Sequence, residues 1–336
     1  MKLVGTHLIF VFGILVLGLW GLSSPATVYA IPVDENTVTL TYWSVPNSQN
    51  QVANIASDFG ENIYFNYANM NKISRLDPES NVITEWTLHS NSSVSDISID
   101  LRSGFIYYAY EGINKIGRLH PETNLITEWT LNADSKLNRL SFDSSSGKAY
   151  YISEDANRIG SLNPDTNLVT EWNLQSNSSE QSVTTFTAID PSSSNFYLLK
   201  SSSPPSIVRL DPSTNNITQW TLPSNSTNIS SFSRGFDGYY FTYEDTNNVG
   251  KLDPLTNNVT EWTIPGNTVG LSHAGFDLAT GIVYFTPSDE DQMGRWIPYN
   301  GVTTEWKIVN TPTELAIAPS GSLYFADELG RIGRIS

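Results

Sequence analysis

The 336-residue chain contains no cysteine. That excludes disulfide staples, thiolate metal sites and a cysteine nucleophile, so the fold must be held by its core. Histidine is scarce: His7, His89, His120 and His273 are the four, widely separated. Zinc chemistry built on clustered imidazoles therefore lacks its parts. Basic residues number 18 against 34 acidic ones, a formal net charge of −16. Such a chain repels phosphate backbones and anionic lipid headgroups, which argues against nucleic acid as a partner and favours cations or cationic surfaces. There is no G-x-S-x-G elbow and no phosphate-cradling glycine loop.

Long apolar runs are missing as well. The longest, residues 8–22, has 15 residues, short of the about 20 that a spanning helix needs. With Lys2 before it and Val28-Tyr29-Ala30 after it, the run reads as an export signal cleaved after Ala30. An uncleaved membrane anchor is the alternative. Residues 31–336 would then be one domain of 306 residues with no membrane span, secreted or held at the cell surface. Asn-x-Ser/Thr sequons at Asn91, Asn177, Asn216, Asn225, Asn228 and Asn258 suggest a glycoprotein wherever the host glycosylates.

Tryptophan, by contrast, is abundant and evenly placed. Trp43, Trp86, Trp129, Trp172, Trp220, Trp262 and Trp306 follow one another at steps of 43, 43, 43, 48, 42 and 44 residues. Six of the seven end a Thr-Glu-Trp or Thr-Gln-Trp triplet, and Thr41-Tyr42-Trp43 is a degenerate seventh. A period of 40 to 45 residues with strand-like content predicts a β-propeller with one four-stranded blade per repeat.

The repeat over residues 95–131 shows the grammar. Asp96-Ile97-Ser98-Ile99-Asp100 alternates polar and apolar, as a half-buried strand does. Phe105-Ile106-Tyr107-Tyr108-Ala109-Tyr110 is a continuous apolar run, suited to a strand covered on both faces. Lys115-Ile116-Gly117-Arg118-Leu119 is the third strand. His120-Pro121-Glu122-Thr123-Asn124 is a turn, and Leu125-Ile126-Thr127-Glu128-Trp129-Thr130-Leu131 is the outer strand. Acid-rich turns of the same kind, such as Asp77-Pro78-Glu79-Ser80-Asn81, carry the proline and asparagine that turn geometry demands and are read as structural, not as calcium loops. Arg75, Arg118, Lys251 and Arg295 each stand ten residues before the acid of a Thr-Glu-Trp triplet, Glu85, Glu128, Glu261 and Glu305. Ion pairs across the hairpin are expected there.

The last repeat stops after Arg331-Ile332-Gly333-Arg334-Ile335 without its tryptophan strand, while Val38-Thr39-Leu40-Thr41-Tyr42-Trp43 is spare at the other end. The expected fold is all-β, a seven-bladed propeller closed by the N-terminal strand completing the last blade, a solution that protects an open edge. Ring closure removes the need for a partner, so a monomer is expected.

A ligand is expected at one mouth of the central channel. The loops between second and third strands are acidic: Glu111, Glu154-Asp155, Glu244-Asp245, Asp289-Glu290-Asp291 and Asp327-Glu328, with blade four departing at Ser201-Ser202-Ser203-Pro204-Pro205. Sharing one face, they form a carboxylate rim, either solvated or suited to magnesium or calcium. Of the histidines, only His273 falls near the axis.

The stretch Asn-Lys-Ile-Gly-Arg-Leu, a turn, then Ile-Thr-Glu-Trp-Thr-Leu (residues 114–131) resembles the repeat of the streptogramin (virginiamycin B) lyase family, and the resemblance covers residues 36–336. It implies a seven-bladed propeller and a magnesium-assisted elimination that linearises a cyclic depsipeptide, with a last-blade histidine in a Pro-His segment as base near two metal-associated glutamates. By position, His273 looks like the family's substrate-contacting blade-six histidine, and Glu328 in Phe-Ala-Asp-Glu looks like one metal glutamate. Where the family reads Glu-Pro-His, this chain reads Thr311-Pro312-Thr313, and Glu314 follows. The expectation is an exported binding or surface-interaction module with no residue assigned a catalytic role. Its ligand residues are His273, Glu314 and Glu328, with Glu328 toward a metal. The alternative is a divalent-metal lyase opening a cyclic ester or lactone.

Overall fold

In the computed structural model the described residues are 22–335, without 26–27, 34–37, 48, 132–136, 154–157, 174–183, 190–194, 201–203, 215, 224–227, 236, 266–269 and 289–290. Every element there is a β-strand, and among the described residues no helix is long and apolar enough to cross a membrane. Residues 1–21, Glu154-Asp155, Ser201 to Ser203, Asp289-Glu290, Asn177 and Asn225 lie outside the described residues.

Seven antiparallel sheets follow the repeat. Their innermost strands are Val52–Ser57, Val94–Asp100, Leu137–Asp143, Thr184–Ile189, Ile229–Arg234, Leu271–Phe276 and Pro312–Ile317, in blades one to seven. Each packs beside the next, and the seventh packs beside the first, which closes a ring around a central channel. Blade seven is completed by Val38–Ser44, paired antiparallel to Arg331–Ile335 with Tyr42 opposite Gly333. The N-terminal strand therefore zips the ring as expected. Two further strands lie outside the four-stranded plan: Leu22–Pro25 on the outer edge of blade one and Val28–Val33 on that of blade seven.

The repeated residues explain the blade. The second strand is buried from end to end, as in Tyr107, Tyr108, Ala109 and Tyr110, because neighbouring blades cover both its faces. The third-strand glycine makes room for its rings: a Cβ on Gly117 would lie 2.0 Å from Tyr108 Cζ. On the outer strand, Trp43, Trp86 and Trp129 each donate the indole N–H to the turn asparagine of the following blade, Asn81, Asn124 and Asn167, at 2.8, 2.5 and 2.6 Å. Those asparagines hold φ near 60°, 60° and 57°, so one residue type closes the turn and clips adjacent blades. Trp306 Nε1 is buried with no hydrogen-bond partner. It packs against the seam, where the outer strand of blade seven comes from the N-terminal segment and no such turn joins it to the third strand.

The expected ion pairs ten residues apart do not form in this way. Arg75 faces Thr84 and Ser74 faces Glu85, so Arg75 and Glu85 project to opposite faces of the sheet. The arginines instead cover indoles: Arg75, Arg118, Arg209, Arg295 and Arg334 lie 5.8, 5.4, 5.5, 5.6 and 5.7 Å from the rings of Trp86, Trp129, Trp220, Trp306 and Trp43. Lys251 pairs with Asp237. The triplet glutamates take cations thirteen residues back: Lys72–Glu85 at 3.1 Å, Lys115–Glu128 at 3.6 Å and Arg158–Glu171 at 3.4 Å. Tyr110 and Tyr151 also donate to Glu128 and Glu171, at 2.5 and 2.9 Å.

Candidate functional site

Each innermost strand bulges at its second residue. In blade two the register slips between Val94 and Asp96, in blade three between Leu137 and Arg139, in blade six between Leu271 and His273, and in blade seven between Pro312 and Glu314. A bulge re-aims side chains, and here it sets Asp96, Arg139, His273 and Glu314 at equivalent positions just inside one mouth. Neutral residues hold two of the others: Asn54 in blade one and Ser231 in blade five.

Hydrogen bonds between neighbouring inner strands fix this layer. Asp96 Oδ2 accepts the Leu140 N–H of blade three at 2.8 Å, and Oδ1 accepts the Ile97 N–H at 2.9 Å. Asn54 donates to Ser95 O at 3.1 Å, and Ser231 donates to Ala274 O at 3.1 Å. His273 Nδ1 lies 3.3 Å from Ser272 Oγ.

Arg139 is the cation of the layer, and its charge bears on Asp96 beside it and on His273 and Glu314 across the channel. Burial pushes the Glu314 carboxyl up to about 7; Arg139 opposes that, while the charge of Asp96 reinforces it. Burial also raises Asp96 to about 6 against the pull of Arg139 and its two backbone donors. His273 is driven down to about 4 by burial first and by Arg139 second. At neutral pH the imidazole is uncharged. Glu314 and His273 both keep some solvent-accessible surface although protein surrounds them on nearly every side. The enclosing protein governs their protonation.

The rim is acidic, as expected for loops on one face. The turns after the second strands are tied to the loops entering the first: Glu111 N–H to Ser93 O at 2.8 Å, Glu244 N–H to Asn228 O at 2.8 Å and Glu328 N–H to Thr311 O at 3.1 Å. Glu111, Glu244, Asp291 and Glu328 are exposed there. The structure thus brings His273 and Glu314 into one layer and leaves Glu328 on the rim turn above it. Among the described residues no three His, Asp or Glu side chains come together as a metal cage. The donor set here does not fit a magnesium or calcium ion held as the resemblance implies. Thr313, which the resemblance sets where the family has its histidine, is the bulged residue itself, and its hydroxyl is buried without a partner.

Asp96 and Arg139 were not singled out by sequence. Both stand about a dozen residues before their partners at the end of the second strand, as Asp96 opposite Ala109 and Arg139 opposite Ile152. That offset, not the distance from the preceding tryptophan, marks the layer, because the loops between are of unequal length.

Residues 38–335 match the sequence model of the virginiamycin B lyase family. The fold is similar to virginiamycin B lyase from Staphylococcus aureus, with TM-score 0.76 and 21% identity over 89% of this chain and 99% of that one. A catalytically inactive histidine-to-alanine form of that lyase with quinupristin is similar to the same extent. A streptogramin B lyase structure matches with TM-score 0.75 and 22% identity, over 89% of this chain and 97% of the other. Comparison with the curated proteins found no match.

Proposed function

This chain belongs to the virginiamycin B lyase family, and on that premise we propose that it is an exported binding propeller. It takes a ligand at the channel mouth and does not perform the metal-assisted elimination for which the lyases are named. The bulge of blade seven carries this reading. Thr313 stands where the resemblance puts the base, and an alcohol keeps its proton at neutral pH, so it cannot take one from carbon as an imidazole does. Its hydroxyl is buried. The neighbouring groups, Glu314 and His273, face an enclosed channel and lie under the charge of Arg139, an arrangement suited to recognising a charged ligand. The export reading draws on the leader-like N-terminus and the exposed sequon asparagines Asn91, Asn216, Asn228 and Asn258.

One observation favours the lyase reading. A carboxyl poised at about 7, as Glu314 is, is a competent general base. Incubation of the purified protein with a streptogramin B, with and without magnesium, separates the two. No linear product is expected in either case. Magnesium-dependent linearisation that Glu328→Gln abolishes would replace the binding reading with the lyase one.

A further inference from the structure

We propose that the channel mouth is a site for a small organic cation, a primary ammonium, with the Glu314 carboxylate as its counter-ion. The proposal rests on the channel-mouth reading above and adds the charge of the ligand and the residue that reads it.

Position comes first. Glu314 lies three residues from Thr311, whose carbonyl is tied to the rim turn of Glu328 at 3.1 Å, so the carboxyl sits immediately inside the acidic rim. Rim carboxylates take hydroxyl or amide partners that leave their charge in place: Ser93 on Glu111 at 2.6 Å, Asn228 on Glu244 at 2.5 Å and Thr311 on Asp291 at 2.9 Å. Among the described cations at the same end, Lys72, Lys115 and Arg158 pair with outer-strand glutamates and Arg331 with Asp327, while Lys307 is exposed on the outer strand of blade six, away from the innermost strands. A mouth lined with one sign of charge concentrates the opposite ion and guides it inward.

The second argument is the balance inside the layer. Among the described residues, two carboxyls, Asp96 and Glu314, share this layer with one guanidinium, that of Arg139, and the uncharged imidazole of His273. Asp96 has both oxygens committed to backbone N–H groups of Leu140 and Ile97. Glu314 accepts the N–H of Leu315, and no side-chain hydrogen bond to it is found among the described residues. It is the carboxyl left to turn to a ligand. With both carboxyls ionised the layer is one positive charge short, and either a proton or an ammonium ion supplies it. Blades one and five add no charge, since Asn54 and Ser231 face the layer. An ammonium ion therefore displaces a proton from Glu314, and the proton leaves to solvent.

The test is calorimetric titration of the intact protein with n-butylammonium chloride, with sodium butyrate and calcium chloride as the anionic and inorganic controls. The expected result is saturable binding of one butylammonium per chain and none of butyrate. At pH 7 about half a proton should be released, read from buffers of different ionisation enthalpy. Glu314→Gln should weaken binding about tenfold or more with a single cooperative unfolding transition retained. Glu314→Asp should retain part of it, and Arg139→Gln should strengthen it. Calcium binding that excludes butylammonium, or equal affinity in Glu314→Gln, would overturn the proposal. Butyrate binding alone would overturn the charge assignment and leave the channel-mouth reading standing. If no probe shifts the His273 imidazole resonances, both fall.

Discussion

Replacing Gly117 by alanine tests whether the blades are built around their third-strand glycine. The new Cβ would stand 2.0 Å from Tyr108 Cζ, 2.2 Å from its hydroxyl and 2.3 Å from Cε2. Carbon atoms are in favourable contact near about 3.5 to 4 Å, so the ring must retreat by roughly 1.5 Å. It has little room to do so. Tyr108 is fully buried and packs edge-on against Tyr110, with centroids 5.3 Å apart. Tyr110 is itself fixed by Glu128 at 2.5 Å. Overpacking of this kind costs about 1–3 kcal/mol, partly offset by the about 0.5–1 kcal/mol that alanine gains over glycine in a strand. The net expectation is about 1–2 kcal/mol of destabilisation. Tyr108→Ala alone should cost about 3–5 kcal/mol as a large-to-small core change. With the ring gone, the methyl group enters vacated space, and the glycine replacement becomes neutral or favourable. A double-mutant cycle by urea unfolding, followed by tryptophan fluorescence, should give a coupling of about 1.5–3 kcal/mol. An equal cost of Gly117→Ala with and without the Tyr108 ring would refute the packing argument. So would a neutral Gly117→Ala in the intact blade.

Two other outcomes follow from the seam and the channel. Removing residues 38–44 takes away the strand paired to Arg331–Ile335 and the fully buried Leu40 and Tyr42; the expected result is a protein that is aggregated or cleaved near its C-terminus under limited proteolysis, and an unchanged protease pattern would contradict closure. The channel groups bear on stability with opposite signs. Glu314, raised from 4.5 to about 7, and Asp96, raised from 3.8 to about 6, hold protons that the unfolded chain has released, so their contribution declines as pH rises through those windows. His273, lowered from 6.5 to about 4, does the reverse and adds stability as pH rises across that interval. Urea midpoints between pH 4 and 8 should therefore fall less steeply with pH in Glu314→Gln and more steeply in His273→Asn than in the unmodified chain; identical profiles in all three would remove the channel electrostatics.

Much was legible without coordinates because the repeat is covalent. The tryptophan period, the Pro-x-Thr-Asn turns, and a strand spare at one end and missing at the other prescribe blade number, hairpin order and ring closure through local turn chemistry and burial alone. His273 and Glu314 were named from sequence, one by its place in blade six and the other by its place beside a motif, and the fold sets them at equivalent bulge positions. Side-chain direction was not. A spacing of ten residues suggested that Arg75 meets Glu85, but a one-residue difference in hairpin register sends them to opposite faces and gives the arginine to Trp86 instead.

The channel layer belongs to tertiary structure entirely. Arg139 lies in blade three and Glu314 in blade seven, and nothing local to either predicts that they meet. They share an electrostatic environment because closure carries the seventh inner strand round to the first, which sets distant repeats around one central axis. Chain order determined which residues stand at each bulge; only the closed ring, by gathering the innermost strands around one axis, brought four separate side chains into a single electrostatic group.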